Sequence, residues 1–191
     1  MDIECPFKIV LILLYTCFTT IRAHYRRTTF RSRADEVGPD HTAYGVYALI
    51  AFEVSTLFTI LFFPHWLAWA TMPLPTWLRW FGTVLGIAAL LLFIWVHHSL
   101  GPNFSVALCV QDRHTLVTSG PYRWIRHPMY TAFYILHLAT WLLTANGFIG
   151  ATWIAGLTLL IAWHIRREER MMIKKFGKEY RSYIEQTRRF L

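Results

Sequence analysis

The sequence predicts an all-α integral membrane protein with five transmembrane helices, the last two forming a helical hairpin followed by an amphipathic C-terminal helix. Three observations carry this. Of 191 residues, 55% are hydrophobic and only 16% charged, a balance unsuited to a soluble core of this length. The apolar residues gather into five runs near the roughly 17 to 25 residues that cross a bilayer. The basic residues stand in blocks between the runs and not along them. The net charge of +8 is therefore a mark of membrane topology, and no nucleic-acid partner is expected, because no basic helix face carries interleaved aromatics.

The first run, about Pro6 to Ile21, is preceded by Asp2 and Glu4 and followed by Arg-rich sequence where a signal peptide would have a small-residue cleavage site, so it reads as a retained helix. The second runs from about Thr42 to Phe63 and the third from about Leu78 to Val96, with His97 and His98 expected at the interface. The fourth and fifth, about Met129 to Thr144 and Phe148 to Ile165, are joined only by Ala145-Asn146-Gly147, which forces an antiparallel hairpin. From Arg166 to about Gln186, Met172, Ile173, Phe176, Tyr180, Tyr183 and Ile184 recur at spacings of three and four among Lys and Arg. That pattern predicts an amphipathic helix on the cytoplasmic leaflet, weakened at Gly177. The whole chain, 1–191, is one membrane domain, with three helices in 1–99 and a second part in 100–191.

With five crossings, the basic blocks after the first, third and fifth helices share one side, and of 19 Lys and Arg only Lys8 and Arg79 remain on the other. The positive-inside rule then puts the N-terminus outside and the 100–130 loop and the C-terminus in the cytoplasm.

Chemistry concentrates at that cytoplasmic face. In GPYRWIRHPMY, Pro128 suits the first turn of a helix, so His127 falls near its N-cap and Arg126 just outside. The free N–H groups there suit an anion, while a topology anchor and a cap explain the same residues. Glu168 and Glu169 stand where a helix leaves the bilayer, either as solvated charges or as part of a site. Within the membrane, Glu53 should face the bundle interior and find a partner or bind a proton, because an ionised acid at mid-membrane costs about 2.5 to 3.5 kcal/mol; His137 lies in the fourth helix. No His pair is spaced for di-iron chemistry, no metal site is indicated, and neither GxGxxG nor GxxxxGK[ST] occurs.

Taken in order, HTLVTSGPYRWIRHPMY, a hairpin, and RREERMMIKKFGKEYRSYIEQTRR resemble the C-terminal half of the isoprenylcysteine carboxyl methyltransferase family, over about Leu100 to Arg189. Phospholipid N-methyltransferases resemble the same half more loosely. The resemblance implies a membrane enzyme using S-adenosyl-L-methionine, with 100–191 as its catalytic part and the cytoplasmic loop binding the cofactor. By the matching letters, the cofactor contacts are His114, Thr115, Leu116, Val117, Tyr122, His127, Pro128, Met129, Tyr130 and Glu168, with Arg126, His127 and Glu168 central to catalysis. His164 stands where the family has a substrate-contacting Arg, with Arg166 and Arg167 close by; these three are the expected substrate contacts. Thr131 replaces a Gly often found after the RHP-x-Y motif, and the family's Pro-containing terminal segment does not follow Leu191. The acceptor is a lipid-like or prenylated small molecule drawn from membrane lipid surroundings. An isoprenylcysteine-type carboxylate giving an O-methyl ester is favoured. A phospholipid amine, an NADPH-dependent lipid or sterol reductase, and a non-catalytic scaffold are the alternatives.

Overall fold

The structure, a computed structural model, describes residues 4–30, 42–101 and 115–190, and of 26–30 and 42–43 only the backbone. The described residues form α1 (Glu4–Phe30), α2 (Thr42–Phe62), α3 (Thr76–Leu100), α4 (Pro128–Thr144), α5 (Gly147–Phe176) and α6 (Lys178–Gln186), with short 3₁₀ turns at Pro64–Ala70 and Gly120–Arg123. The protein is a multi-pass integral membrane protein. Four stretches, Glu4–Tyr25, Tyr44–Phe62, Thr76–Leu100 and Gly147–Phe176, are long and apolar enough to cross a membrane. At 17 residues, α4 sits at the short end of that range.

The centre of the fold is α4, held chiefly between α3 and α5. Its packing against α3 is close because Gly82 meets the Ala139 carbonyl and the Leu142 and Leu143 side chains, where even a methyl would be tight; small residues let membrane helices approach in this way. The expected hairpin is present. Ala145 takes a left-handed conformation (φ 48°) as the C-cap of α4. Asn146 then caps α5, its Oδ1 accepting from Ile149 N–H at 3.1 Å and its Nδ2 donating to the Leu67 carbonyl at 2.8 Å. All of its side-chain polarity is thus used at full burial. At Gly150, an added methyl would collide with the Trp141 ring.

The end of the fifth helix differs from the sequence reading. No helix breaker stands between Ile165 and Phe176, so α5 continues to Phe176 instead of yielding to a separate tail helix at Arg166. The break falls at Gly177, the weak point expected from the sequence, whose φ of 54° favours glycine. Nor is the apolar face of α6 left for the leaflet: Tyr180 and Tyr183 are buried against the protein. His97, expected at the interface, is also buried, its Nδ1 2.8 Å from the Phe93 carbonyl oxygen and its ring close to Tyr25 and Phe93.

At the end opposite the 120–127 loop, Arg79 joins three helices. It donates to the Glu4 carboxylate at 2.6 and 2.8 Å and to the Leu143 carbonyl at 2.8 Å, and lies 3.9 Å over the Phe7 ring. The Arg79 side chain is 8% exposed, that of Glu4 50%. Water therefore screens the Glu4 end, and the bond to Leu143 carries more weight. Arg79→Met is expected to lower stability by about 3 kcal/mol, because it leaves a buried carbonyl bare and takes the guanidinium away from Glu4, and Glu4→Gln by about 1 kcal/mol or less. Thermal unfolding in detergent micelles checks the order.

Candidate functional site

The end of α4 that follows the 120–127 loop is built by three segments that are distant in sequence. Residues 124–127 run beside the tail: Arg126 N–H donates to the Arg188 carbonyl at 2.8 Å, His127 N–H to that of Arg189 at 3.3 Å, and Arg188 N–H back to that of Trp124 at 3.3 Å. This short parallel pairing fixes the approach to α4. Arg126 Nη1 donates to the carbonyls of Ile184 (2.7 Å) and Thr187 (2.5 Å), closing the last turn of α6. Below, Tyr183 Oη donates to the Tyr122 carbonyl at 2.6 Å.

His127 occupies the N-cap position but makes no capping bond. Its buried ring instead stands between the two carboxylates of α5, Nε2 at 3.3 Å from Glu169 Oε1 and Nδ1 at 3.6 Å from Glu168 Oε2. Tyr130 stacks on it with ring centroids 5.6 Å apart and donates from Oη to Glu168 Oε2 at 3.0 Å. The two acids differ in surroundings. Glu169, 12% exposed in its side chain, also receives Arg189 Nη2 at 2.7 Å and lies 3.4 Å from Arg126 Nε. Glu168, at 37%, keeps an open side. Burial pushes the Tyr122 and Tyr180 phenols well above their usual range and Tyr183 up to about 12, the nearby Arg126 opposing part of the rise at Tyr183.

Beside these groups opens a cavity of about 480 Å³. Thr115, Leu116, Val117, Tyr122, Arg126, His127, Met129, Tyr130, His164 and Glu168 all line it. The same cavity continues between α1, α2, α4 and α5, past Phe18, Leu49, Phe133 and Leu157. His114 lies outside the described residues. Pro128 is buried as the first residue of α4 and does not line the cavity. Arg166 and Arg167 do not line it either: Arg166, two residues from His164, points to another face of α5 and is exposed, while Arg167, although three residues from His164, lies 5.5 Å over the Trp163 ring.

Some of what builds the site was not legible in sequence. Arg22 lines the cavity because α1 runs past the expected Ile21 end. Glu169, expected as a solvated charge or as part of a site, pairs with Arg189 across 20 residues, a contact that no local pattern signals. Glu53 does find a partner, His137, at 2.9 Å.

A sequence model of the isoprenylcysteine carboxyl methyltransferase (ICMT) family matches residues 80–174. The protein-S-isoprenylcysteine O-methyltransferase of Rattus norvegicus is 30% identical over 117 residues, covering 60% of this chain and 41% of the relative. That of Dictyostelium discoideum is 30% identical over 133 residues, covering 65% and 54%. The matched segments thus span about half or less of these curated relatives. Among solved structures, the eukaryotic intramembrane Ras methyltransferase ICMT superposes with a TM-score of 0.60 at 22% identity, covering 92% of this chain and 65% of that one. The likeness of fold therefore extends well beyond the matched family segment.

Two outcomes test the site's construction. Arg126→Ala removes the Nη1 that donates to both carbonyls, so amide exchange at position 126 and at Arg188 should accelerate at least tenfold by hydrogen exchange. Because the Tyr183 phenol is raised above its unfolded value near 10, its contribution to docking the tail is complete below about pH 10 and lost as pH rises through about 12. Tyrosinate absorbance against tail proteolysis follows this.

Proposed function

We propose that the chain is a member of the isoprenylcysteine carboxyl methyltransferase family, whose sequence model it matches over residues 80–174, and an S-adenosylmethionine-dependent methyltransferase of the membrane. Its acceptor is an isoprenylcysteine-type or similar lipid-like carboxylate, and its product a methyl ester. The observation that carries this reading is the continuity of the cavity, which joins the polar groups at Tyr122, His127 and Glu168 to an apolar channel between helices. A water-soluble donor and a membrane-bound acceptor could meet there.

The residues present fit the donor. S-adenosylmethionine supplies an electrophilic methyl on a sulfonium, together with a charged amino-acid end and an adenosine. Glu168, partly open and held by Tyr130, offers a carboxylate to a ribose hydroxyl or an ammonium. Leu116, Val117 and Tyr122 offer apolar and aromatic walls for adenine, and Thr115, Met129 and His114 belong to the same set. Arg126 and His127 act by holding the loop and both carboxylates in register.

A carboxylate acceptor is already ionised near neutral pH, so methyl transfer needs no general base. These residues then contribute by orientation and exclusion of water, and proximity alone is worth about 7 to 11 kcal/mol. His164 Nδ1 lies 3.0 Å from the Leu160 carbonyl oxygen. With the proton on Nδ1, Nε2 is left as an acceptor, which would serve an amine substrate and keeps an N-methyl product as the second reading. In this reading α4 also crosses, as the fourth of five spans, and the charge bias of the loops supports an outside N-terminus and a cytoplasmic site.

Calorimetry on protein in detergent should detect S-adenosylmethionine binding, weakened at least tenfold in Glu168→Ala and His127→Ala. Absence of binding, or unchanged binding in both variants, would overturn the assignment. Labelled-methyl transfer to a farnesylcysteine analogue, followed by base treatment, should release the label as an ester does.

A further inference from the structure

The cavity wall carries polar groups at membrane depth for which methyl transfer has no use. Tyr15, Glu53, His137 and Trp153 all line it. Two are closed off by hydroxyls: Tyr15 Oη shares a hydrogen bond with Thr140 Oγ1 at 2.9 Å, and Trp153 Nε1 donates to Thr56 Oγ1 at 2.9 Å. Glu53 differs. Its Oε1 meets His137 Nε2 at 2.9 Å, while Oε2 has no hydrogen-bond partner among the described residues. His137 Nδ1 is buried and likewise unpartnered.

A hydrocarbon chain laid on this wall would strip water from a carboxylate oxygen and return nothing. Leaving a buried acceptor unpaired costs about 1 to 3 kcal/mol, and more when it is charged. A hydroxyl or amide N–H would satisfy that oxygen. Along α4, His137 lies roughly 10 to 15 Å deeper than Tyr130 and His127 at 1.5 Å per residue, so such a donor would sit that far from the reacting group.

We propose that Glu53 and His137 form a recognition subsite for a hydrogen-bond donor carried partway along the acceptor's apolar chain. The preferred acceptor is then a hydroxylated or amide-bearing isoprenoid-like acid and not a bare hydrocarbon one. The inference rests on the methyltransferase reading for which end of the acceptor faces the donor, the polar end of the cavity at Tyr122, His127 and Glu168. The pair also ties α2 to α4, and Thr56 is the buried residue of α2. A tie alone has no need of an unpartnered oxygen on the cavity wall.

The test is equilibrium binding of two probes to the full chain in lipid nanodiscs, by competition with a fluorescent prenylcysteine. One probe is N-acetyl-S-farnesylcysteine, the other the same molecule with a hydroxyl midway along the farnesyl chain. The wild-type protein should bind the hydroxylated probe at least tenfold more tightly, and Glu53→Leu combined with His137→Leu should bring the ratio within twofold. Glu53→Gln keeps the size of the side chain and should lower the ratio, guarding against loss of fold in the double variant. A wild-type ratio near one or favouring the hydrocarbon, a ratio unchanged in the variants, or no binding of either probe overturns the proposal. Methyl transfer is scored separately: preference without transfer to either probe leaves the subsite standing and removes the methyltransferase reading.

Discussion

The site depends on a buried carboxylate that has to be compensated. Glu169 sits near the end of α5 with its side chain 12% exposed, and an acid so placed is stable only with cations and donors around it. They come from two other segments: Arg126 and His127 from the loop before α4, and Arg189 from the tail beyond α6. None of these segments can take its position without the others. The parallel pairing of 124–127 with the tail follows from that, and with it the entry angle of α4. Glu168, about 100° further round the helix, is left with its open side on the cavity. Adjacent acids thus divide the work, one spent on assembling the site and one available to a ligand.

The opposite end is fastened by the converse device, a buried cation. Arg79 gathers the start of α1 and the end of α4 onto α3 through Glu4 and the Leu143 carbonyl. Between these fastenings α3 and α4 pack closely. The cavity opens between α1, α2, α4 and α5, with α2 held to the bundle at membrane depth through Glu53 and Thr56.

Much of this was legible in sequence, and the reasons are local. Long apolar runs and a three-residue turn are local signals, so the helices and the α4–α5 hairpin could be read directly. The RHP stretch and the acidic pair, each open to a bland reading by itself, were joined as two ends of a site only by the family resemblance. Placement of charges was less legible. Arg79 was counted among the outer-side charges but is buried, because its guanidinium meets a carboxylate and a carbonyl that the fold brings from 75 and 64 residues away. The end of α5 was misread for a similar reason. Basic residues after Ile165 suggested an exit from the membrane, yet charge does not stop a helix and Gly177 does.

The family match covers residues 80–174, which span nearly all of α3, α4 and α5. The loop, the acidic pair and the polar end of the cavity fall within it. The far wall of the cavity draws on α1 and α2, which lie before it, through Tyr15, Phe18, Leu49 and Glu53. Glu53 lies before the matched segment and His137 within it. Their contact at 2.9 Å joins α2 to α4 at membrane depth, so the shape of the apolar end of the cavity depends on a helix outside the matched segment, while its polar end at Tyr130 and Glu168 is built within it.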